Sequence, residues 1–372
     1  MLRPAADTSG AASAARTLER MSRTLAPAHS APPRPPTRPR SPRSTRQRPA
    51  LGLSLGVALV LLFAGIRMFA PESVGDVLSN SVQDFFTLSI SVVIESLPFV
   101  FLGILLSIVV QVWLPEGFLL RHLPRNVVAR RVTISLLGVL LPVCECGNVP
   151  LARGLILRGL TVGESLTFLL AAPILNPVTI ITTYQAFGWS DGILVARILG
   201  GFVIANLIGW IYSRHSSPMS LLTPKFQASC AHAHDEVRTT RTRRSVDMFT
   251  AETAAMLPAL FVGSAIAGLI QVGVSRDLLV TLGQNPVLSV FALMALAFVI
   301  SICSNVDAFF ILAFGSTFMP GAIVAFLVFG PMIDVKMLAL MRTTFTARTL
   351  VQLTVIVGLA SAALGLAVNT IA

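Results

Sequence analysis

Three cysteines and one glutamate are the residues best suited to chemistry. Cys144 and Cys146 flank Glu145 inside an apolar stretch, and Cys303 lies in a second apolar stretch 157 residues after Cys146. Thiolates are soft ligands that select soft cations such as Cu(I) and Zn(II), and by the same logic trivalent arsenic. The pattern therefore predicts a thiophilic solute or metal at Cys144 and Cys146. The alternative is that two small thiols simply fill a packed interface.

Amides, carboxylates and helix-breaking residues surround both cysteine segments. Glycine and proline open a helix and expose backbone carbonyls, as in the discontinuous helices of transporters. Asn176 precedes Pro177 at such a break, where it either binds solute or caps a helix. The predicted substrate-binding residues are Cys144, Cys146, Asn148, Pro150, Asn176, Cys303, Asn305, Asp307 and Asp334.

Charged side chains interrupt several apolar stretches. Each costs about 2.5–3.5 kcal/mol near the middle of a bilayer, so each needs a protein or aqueous partner. We expect Glu95, Glu145 or Asp307 to couple transport to protons. Glu95 alternatively hydrogen-bonds a backbone amide freed by a nearby proline. Asp334 and Lys336 either satisfy each other or lie near an interface, where the cost fades.

A weaker metal motif lies between two apolar stretches. Cys230, His232 and His234 alternate in a polar segment, a spacing that can capture Zn(II) or Cu(II). No second ligand pair follows in the sequence, so the tetrahedral set expected of a structural zinc site is incomplete. A solvated linker is the alternative interpretation.

The composition indicates an integral membrane protein. Of the 372 residues, 54% are hydrophobic and 12% charged, about half the roughly 25% of soluble proteins. Mean hydropathy is +0.78. The sequence contains no phosphate-binding loop motif, and its lysines are Lys225 and Lys336 alone. We therefore expect no ATP-driven work by this chain alone, and the sequence predicts no cofactor.

The N-terminal residues 1–49 differ from the rest of the chain. They hold ten arginines and two acids, with nine prolines, and cannot bury enough apolar surface to fold. We expect a disordered basic arm that places the N-terminus in the cytoplasm, without specific nucleic-acid binding. Residues 50–70 predict an N-terminal transmembrane helix, too long for a secretory signal.

Apolar runs long enough to enter the bilayer continue along the chain, and all should be helical because lipid cannot satisfy backbone groups. Charge bias places the arginines of 121–131 and the basic linker 214–246 on one face. Two loops on the same face must be separated by an even number of membrane crossings, but three runs lie between these two. One of the three must therefore be re-entrant, and 133–157 is the best candidate. The runs are 50–70, 84–113, 133–157, 160–187, 191–213, 247–272, 284–311, 318–341 and 349–371.

The two halves of the chain repeat each other at an offset of 157 to 160 residues. Leu97-Pro98 recurs as Leu257-Pro258, and the Cys146 segment recurs around Cys303. The prediction is an all-α, polytopic transmembrane bundle of inverted repeats with re-entrant broken helices. The alternative, in which every run spans, gives parallel repeats. The predicted units are repeat 1 at 84–213, a cytoplasmic linker at 214–246 and repeat 2 at 247–372.

Two motifs resemble a known family. The run from Pro142 to Pro177, with CECGNVPL and FLLAAPILNP, is similar to the predicted permease family of YraQ-type proteins, which includes the ArsP organoarsenical efflux permeases. The stretch from Ser304 to Phe309 and the segment FGPMIDVK fit the same family, over about residues 80–370. The resemblance implies a permease and, among arsenic-handling members, an exporter. It carries over to Cys144, Cys146, Asn148, Pro150, Asp307, Pro331 and Asp334.

The sequence thus predicts a multi-pass permease of the cell membrane, a secondary transporter and exporter of a small thiophilic solute. Its expected partners are the lipid bilayer, that solute, and either a second copy or a metal-binding accessory protein. The chain is not expected to be an enzyme. One alternative is a receptor or assembly subunit for a metal-binding partner. The other is a membrane thiol oxidoreductase, which a dithiol without an exchange partner fits poorly.

Overall fold

The computed structural model describes residues 80–115, 117–141, 143–189, 192–232, 240–273, 285–313 and 318–371. The predicted basic arm and first apolar run, together with Pro142 and His234, lie outside the described residues. Within that part of the chain the fold is all-α, with one isolated bridge between Leu222 and Phe345, which confirms the predicted class. Five helices are long and apolar enough to cross a membrane: Val82–Trp113, Ile193–Ser213, Arg241–Gly273, Pro320–Met341 and Ala347–Thr370.

The first half of the described chain alternates long helices with short ones. A π-helical turn, Val109–Trp113, extends the first helix. The helices are α1 (Asn80–Ile108), α2 (Phe118–His122), α3 (Val127–Ser135), α4 (Leu137–Leu140), α5 (Glu145–Leu157), α6 (Val162–Ala171), α7 (Pro177–Phe187), α8 (Ile193–Ser213) and α9 (Pro224–His232).

The second half repeats this order. Its first helix begins at Arg241, six residues before the predicted start of repeat 2. The helices are α10 (Arg241–Gly273), α11 (Pro286–Ile300), α12 (Asp307–Leu312), α13 (Pro320–Met332), α14 (Val335–Met341) and α15 (Ala347–Ile371). The sequence offset relates α1 to α10, α3–α4 to α11, α5 to α12, α6 to α13, α7 to α14, and α8 to α15.

Asparagine–proline pairs and an aspartate start the short helices. A proline at the first helical position follows both Asn176 and Asn285. The side chain of each asparagine accepts a hydrogen bond from the backbone amide two residues further along the chain. Proline also keeps the preceding residue extended, so Asn176 has ψ 129° and separates α6 from α7. Asp334 is likewise extended and caps α14. Asn176 and Asp334 thus explain why the runs 160–187 and 318–341 are broken inside.

The run 133–157 returns to the end of the bundle where it starts. Near its beginning, Arg130 pairs with Glu164 of α6 and Arg131 bonds Ser213 at the end of α8. Beyond its end, Arg158 donates to the Leu114 carbonyl after α1, at 3.1 Å. We call this the basic end of the bundle. The helices α3–α5 therefore form the re-entrant hairpin expected from the charge bias.

The corresponding hairpin, α11–α12, enters from the other end. Asn369, near the end of α15, accepts from the Gly321 backbone amide and donates to the Pro286 carbonyl at the start of α11. These three residues define the opposite end. Because one hairpin enters from the basic end and its counterpart from the opposite end, the repeats are inverted as predicted. In each repeat the long helices and one broken helix cross the bundle.

The hairpins meet broken helices of the other repeat in the middle of the bundle. Here α5 packs on α14, and both run from the centre to the basic end; we call them the basic-side pair. Their counterparts α12 and α7 also pack together and run toward the opposite end; we call them the opposite-side pair. The long helices α1 and α10 pack on each other, with α1 also lying along α5 and α10 along α14.

The predicted linker 214–246 is partly folded. A 3₁₀ turn, Pro218–Leu221, precedes α9, and Phe226 of α9 is 1% exposed. Two backbone hydrogen bonds join the segment to the loop after α14: Thr223 N–H to the Thr344 carbonyl and Thr346 N–H to the Leu221 carbonyl. Leu221, Leu222 and Phe226 therefore hold part of the segment on the bundle, whereas residues 214–220 are exposed.

Candidate functional site

The break before α5 and the turn after α11 bring the cysteine segments of the two repeats together. The Sγ atoms of Cys144 and Cys303 and a carboxylate oxygen of Glu145 all lie within 4.8 Å of one another, and all three residues are buried. We call these residues the thiol cluster. The sequence placed Cys303 among the binding residues but did not show that it meets Cys144.

The carboxylate of Glu145 is the most heavily contacted group of the thiol cluster. It is fully buried, and Lys336 of α14 lies 3.4 Å from its Oε1. The Ser304 hydroxyl donates to Oε2 at 3.2 Å, and the Ser304 backbone amide lies 3.5 Å from the same oxygen. A buried carboxylate needs both a counter-charge and hydrogen bonds, and residues of repeat 2 supply them.

Lys336 does not pair with Asp334, contrary to one of the two sequence interpretations. Its ammonium donates instead to Glu145 and, at 3.2 Å, to the Ser301 carbonyl. Asp334 uses one oxygen to cap α14 through the Met337 amide, at 2.5 Å. Both residues are 1% exposed and lie inside the bundle. Ser301 has a left-handed backbone, with φ 54°, at the end of α11.

The third cysteine of the apolar segments lies beside the cluster. Cys146 is fully buried, and its thiol is within hydrogen-bonding reach of Cys144, as is the thiol of Cys303. Three thiols thus surround Glu145. All four described cysteines of the chain are free, so no disulfide consumes the cluster.

Glu95 of α1 is the exposed acid next to this buried site. Its carboxylate is in hydrogen-bonding reach of the Cys303 backbone amide, and Lys336 and Glu145 are its electrostatic neighbours. This amide belongs to the other repeat. A carboxylate within an apolar segment is stable only against water or protein, so we expect water at the exposed face of Glu95.

The amides of repeat 1 support the turn that carries Cys144. Asn148 and Asn176 both donate to the Val143 carbonyl, at 3.5 and 3.4 Å. Asn176 also caps α7, as one sequence interpretation held. The Oδ1 of Asn148 has no hydrogen-bond partner among the described residues, although the side chain is fully buried. Pro150 is buried within α5, one helical turn beyond Cys146.

Asp307 and Asn305 lie in a second polar region, on the opposite-side pair. Asp307 forms a two-pronged ion pair with Arg197 of α8, at 2.5 and 3.0 Å, and Arg197 also donates to Thr183 at 2.7 Å. Thr179 donates to the Asn305 side chain at 3.3 Å. Asp307 therefore has a protein counter-charge, and its carboxylate is not one of the three groups that converge at Cys144.

Sequence reasoning missed three of these contacts. Arg197 interrupts an apolar run, which is the same signal that drew attention to Asp307, yet it was not singled out. Ser304 looks like an ordinary small residue of a turn. Lys336 lies two positions from Asp334, which favoured a local pair over a partner 191 residues away.

A close helix crossing fixes α5 against α1. A Cβ added to Gly103 would lie 2.1 Å from the Gly147 carbonyl oxygen, and one added to Gly147 would lie 2.4 Å from the Phe99 carbonyl oxygen. Two glycines thus let the backbones touch one turn from Cys144. Small residues permit this approach at helix interfaces in membranes.

The weak metal motif lies partly outside the described residues, and Cys230 is its one member whose side chain the structure describes. Cys230 lines a cavity of about 670 Å³ at the basic end, together with Arg158 and Arg244, while His234 lies outside the described residues. Burial raises the pKa of the Cys230 thiol, and Arg153 nearby opposes the rise. Because Cys230 is not one of the three converging ligand groups, this cysteine is a useful control for the thiol cluster.

The arrangement places several possible ligand atoms between the two repeats. Two thiols and a carboxylate offer three converging ligand atoms to a thiophilic centre, and Asn148 Oδ1 adds a free acceptor one helical turn along α5. Since the ligands come from both repeats, a movement of one repeat against the other would take the ligand set apart.

Known proteins with similar sequences agree with the membrane architecture. The UPF0718 protein YcgR of Bacillus subtilis is 37% identical over 278 residues, covering 70% of this chain and 88% of that protein. A putative two-component membrane permease complex subunit of Streptococcus mutans is 31% identical over 286 residues, covering 74% and 91%. The UPF0718 protein YraQ of Escherichia coli is 32% identical over 117 residues, covering 30% and 32%.

No solved structure matches the chain significantly. A family model, ArsP_1, described as a predicted permease, matches residues 81–370, which include both hairpins and the thiol cluster. With this match and the YcgR similarity over most of both chains, the protein belongs to the predicted permease family and is a multi-pass membrane protein.

Proposed function

We propose that the protein is a secondary permease that exports a small thiophilic solute, such as a soft metal ion or a trivalent organoarsenical, through the thiol cluster. The observation that carries this proposal is the convergence of Cys144, Glu145 and Cys303 within 4.8 Å at the junction of inverted repeats. Binding sites of such transporters lie at broken helices near the midplane.

The charges around the cluster support a solute that forms bonds to sulfur. Glu145 is already neutralised by Lys336, so a hard cation would have to displace the ammonium. A thiophilic centre can bond Cys144 and Cys303 while that ion pair stays in place. Glu95, at the exposed edge, is the group we assign to proton exchange with the water expected there. The positive-inside rule places the basic end in the cytoplasm.

Transport by reconstituted vesicles tests the thiols. We expect efflux of cadmium ion or phenylarsine oxide, and its loss in Cys144→Ser and in Cys303→Ser, because each removes one of the converging sulfurs. Cys230→Ser is the matched control and should retain flux. Unchanged flux of every thiophilic probe in both cluster variants would remove the thiols from the mechanism.

A second candidate function is one subunit of a larger permease. It is favoured by the name of the Streptococcus mutans relative, a putative two-component membrane permease complex subunit. Purification from native membranes distinguishes the two: a stoichiometric second protein, with no flux from this chain alone in vesicles, would favour the complex.

A further inference from the structure

The long helices α1 and α10 are counterparts in the repeat, but the helices on which they pack are not. Helix α1 packs on α5, and α10 packs on α14. Gly103 of α1 touches Gly147 of α5. Its counterpart Gly263 of α10 lies against α14 instead, where an added Cβ would be 2.7 Å from Ala339 and 3.1 Å from the Lys336 backbone. Both long helices therefore cover the basic-side pair. If the two repeats were packed symmetrically, α10 would also pack on α12 and α1 on α7, so the long helices would cover the opposite-side pair equally.

The repeat relation identifies the face of α12 that this asymmetry leaves uncovered. Val149 and Ala152 of α5 are 1% and 2% exposed, and Val149 lies one helical turn from Arg153, which binds Glu252 of α10. Their counterparts on α12, Val306 and Phe309, are 46% and 45% exposed. The same positions of the two repeats are thus buried in one copy and open in the other.

The same difference holds for α7 and α14. Lys336 is 1% exposed and Ala339 half-buried beneath α10. Their counterparts on α7, Val178 and Ile181, are 41% and 55% exposed. The uncovered faces of α7 and α12 both point away from the basic end. Glu95 lies eight residues from Gly103 on this side, about 12 Å along α1, and its exposed carboxylate indicates water there.

A buried ion pair secures the covered half. Arg153 of α5 binds Glu252 of α10 at 2.9 and 3.4 Å and donates to the Thr343 carbonyl after α14, at 3.2 Å. Its guanidinium also stacks on Phe226, 4.4 Å from the ring centre. The counterparts of Arg153 and Glu252 are Phe310 and Val92, which are uncharged. This polar contact is thus specific to the basic end.

We propose that α1 and α10 move as one body between two positions, and that the Arg153–Glu252 pair holds them in the position described here. In the second position they leave the basic-side pair, cover the exposed faces of α7 and α12, and open the thiol cluster toward the basic end. The repeat relation supplies the contacts of that position, since each long helix takes over the packing of its counterpart. This goes beyond the proposed solute and holds whichever solute is carried.

Cysteine labelling in lipid nanodiscs tests the movement, because both ends of the bundle are then accessible to a water-soluble maleimide. Ile181→Cys should react about tenfold faster than Leu199→Cys, an exposed position of α8 at similar depth that faces lipid. Adding Glu252→Gln should slow the labelling of Ile181→Cys about tenfold, because the released helices cover it. All cysteine variants carry Cys230→Ser, and the labelling of a chain with Cys230→Ser alone is subtracted from each.

Glu164→Gln is the matched control, since it neutralises another buried acid of the basic end that touches neither long helix. It should leave the labelling rate unchanged. Arg153→Lys keeps the charge but loses the forked contact, so it should give an intermediate rate and replaces Glu252→Gln if that variant does not fold. Equal labelling of Ile181→Cys and Leu199→Cys, or no effect of both latch variants, would overturn the proposal. The assay needs no solute, so it is independent of the transport experiment.

Discussion

The basic-side and opposite-side pairs are related by the internal repeat, but they hold their buried charges differently. Glu145 and Lys336 join α5 to α14 beside three thiols and the exposed Glu95. Arg197 and Asp307 join α8 to α12 among threonines, where both charged groups are closely paired. The first region combines an ion pair with groups that can bind a solute. The second resembles a fixed brace, and its charges are matched within the protein.

The largest expected effect is on the brace. Arg197→Leu leaves Asp307 buried without its counter-charge, and breaking one side of a buried pair costs about 3–5 kcal/mol. We expect a large loss of thermal stability of the purified protein in detergent. The double variant Arg197→Leu/Asp307→Leu should recover most of it. No recovery would show that Arg197 stabilises the fold through contacts other than the ion pair.

Removing the ammonium of the thiol cluster should cost less stability. In Lys336→Met, Glu145 keeps the two donors of Ser304 and lies close to the wet side of Glu95, so it is less isolated than Asp307. The same thermal melts should rank Lys336→Met between wild type and Arg197→Leu. Flux of a thiophilic probe through Lys336→Met should fall by more than the loss of folded protein can explain. The reverse ranking of the two melts would contradict the distinction between site and brace.

The glycine crossing offers a packing test of the same comparison. Gly147→Ala places a methyl group 2.4 Å from the Phe99 carbonyl oxygen, and overpacking of this kind costs about 1–3 kcal/mol. Gly273→Ala is the control, because nothing lies within 4 Å of an added Cβ there. Equal melting temperatures of these variants would show that α1 is not seated on α5.

The smallest effect should come from the hydrogen bond between Thr179 and Asn305. Side-chain hydrogen bonds inside membranes average about 0.6 kcal/mol in double-mutant cycles. A cycle of Thr179→Val and Asn305→Ala should therefore give a coupling near that value. A coupling several times larger would indicate that the opposite-side pair depends on this contact as much as on Arg197.

The architecture could be predicted from the sequence because its causes are local or periodic. Apolar runs give helices, Asn176-Pro177 interrupts one of them, and arginines around residue 130 fix which end the first hairpin enters. The offset between Cys146 and Cys303 then predicted that two such hairpins exist. Each inference needs residues only a few positions apart or repeated at one spacing.

The contacts of the site could be predicted only in part because they depend on how the repeats dock. Cys144 was paired with its neighbour Cys146, whereas Cys303 of the other repeat completes the thiol cluster. One of the two interpretations of Lys336 pairs it with Asp334, but its side chain reaches Glu145 instead. Local spacing favours sequence neighbours, and a buried charge takes whichever partner the packing supplies.

The left-handed backbone of Ser301 gives Lys336 a mechanical role in addition to its electrostatic one. A non-glycine residue in this region costs roughly 1–2 kcal/mol, and the ammonium that neutralises Glu145 also binds the carbonyl of this residue. Movement of Lys336 away from this position would therefore remove the hydrogen bond to the strained backbone of Ser301. It would also leave the Glu145 carboxylate without its counter-charge. The position of the Lys336 side chain therefore affects both the charge balance and the backbone strain at the centre of the bundle.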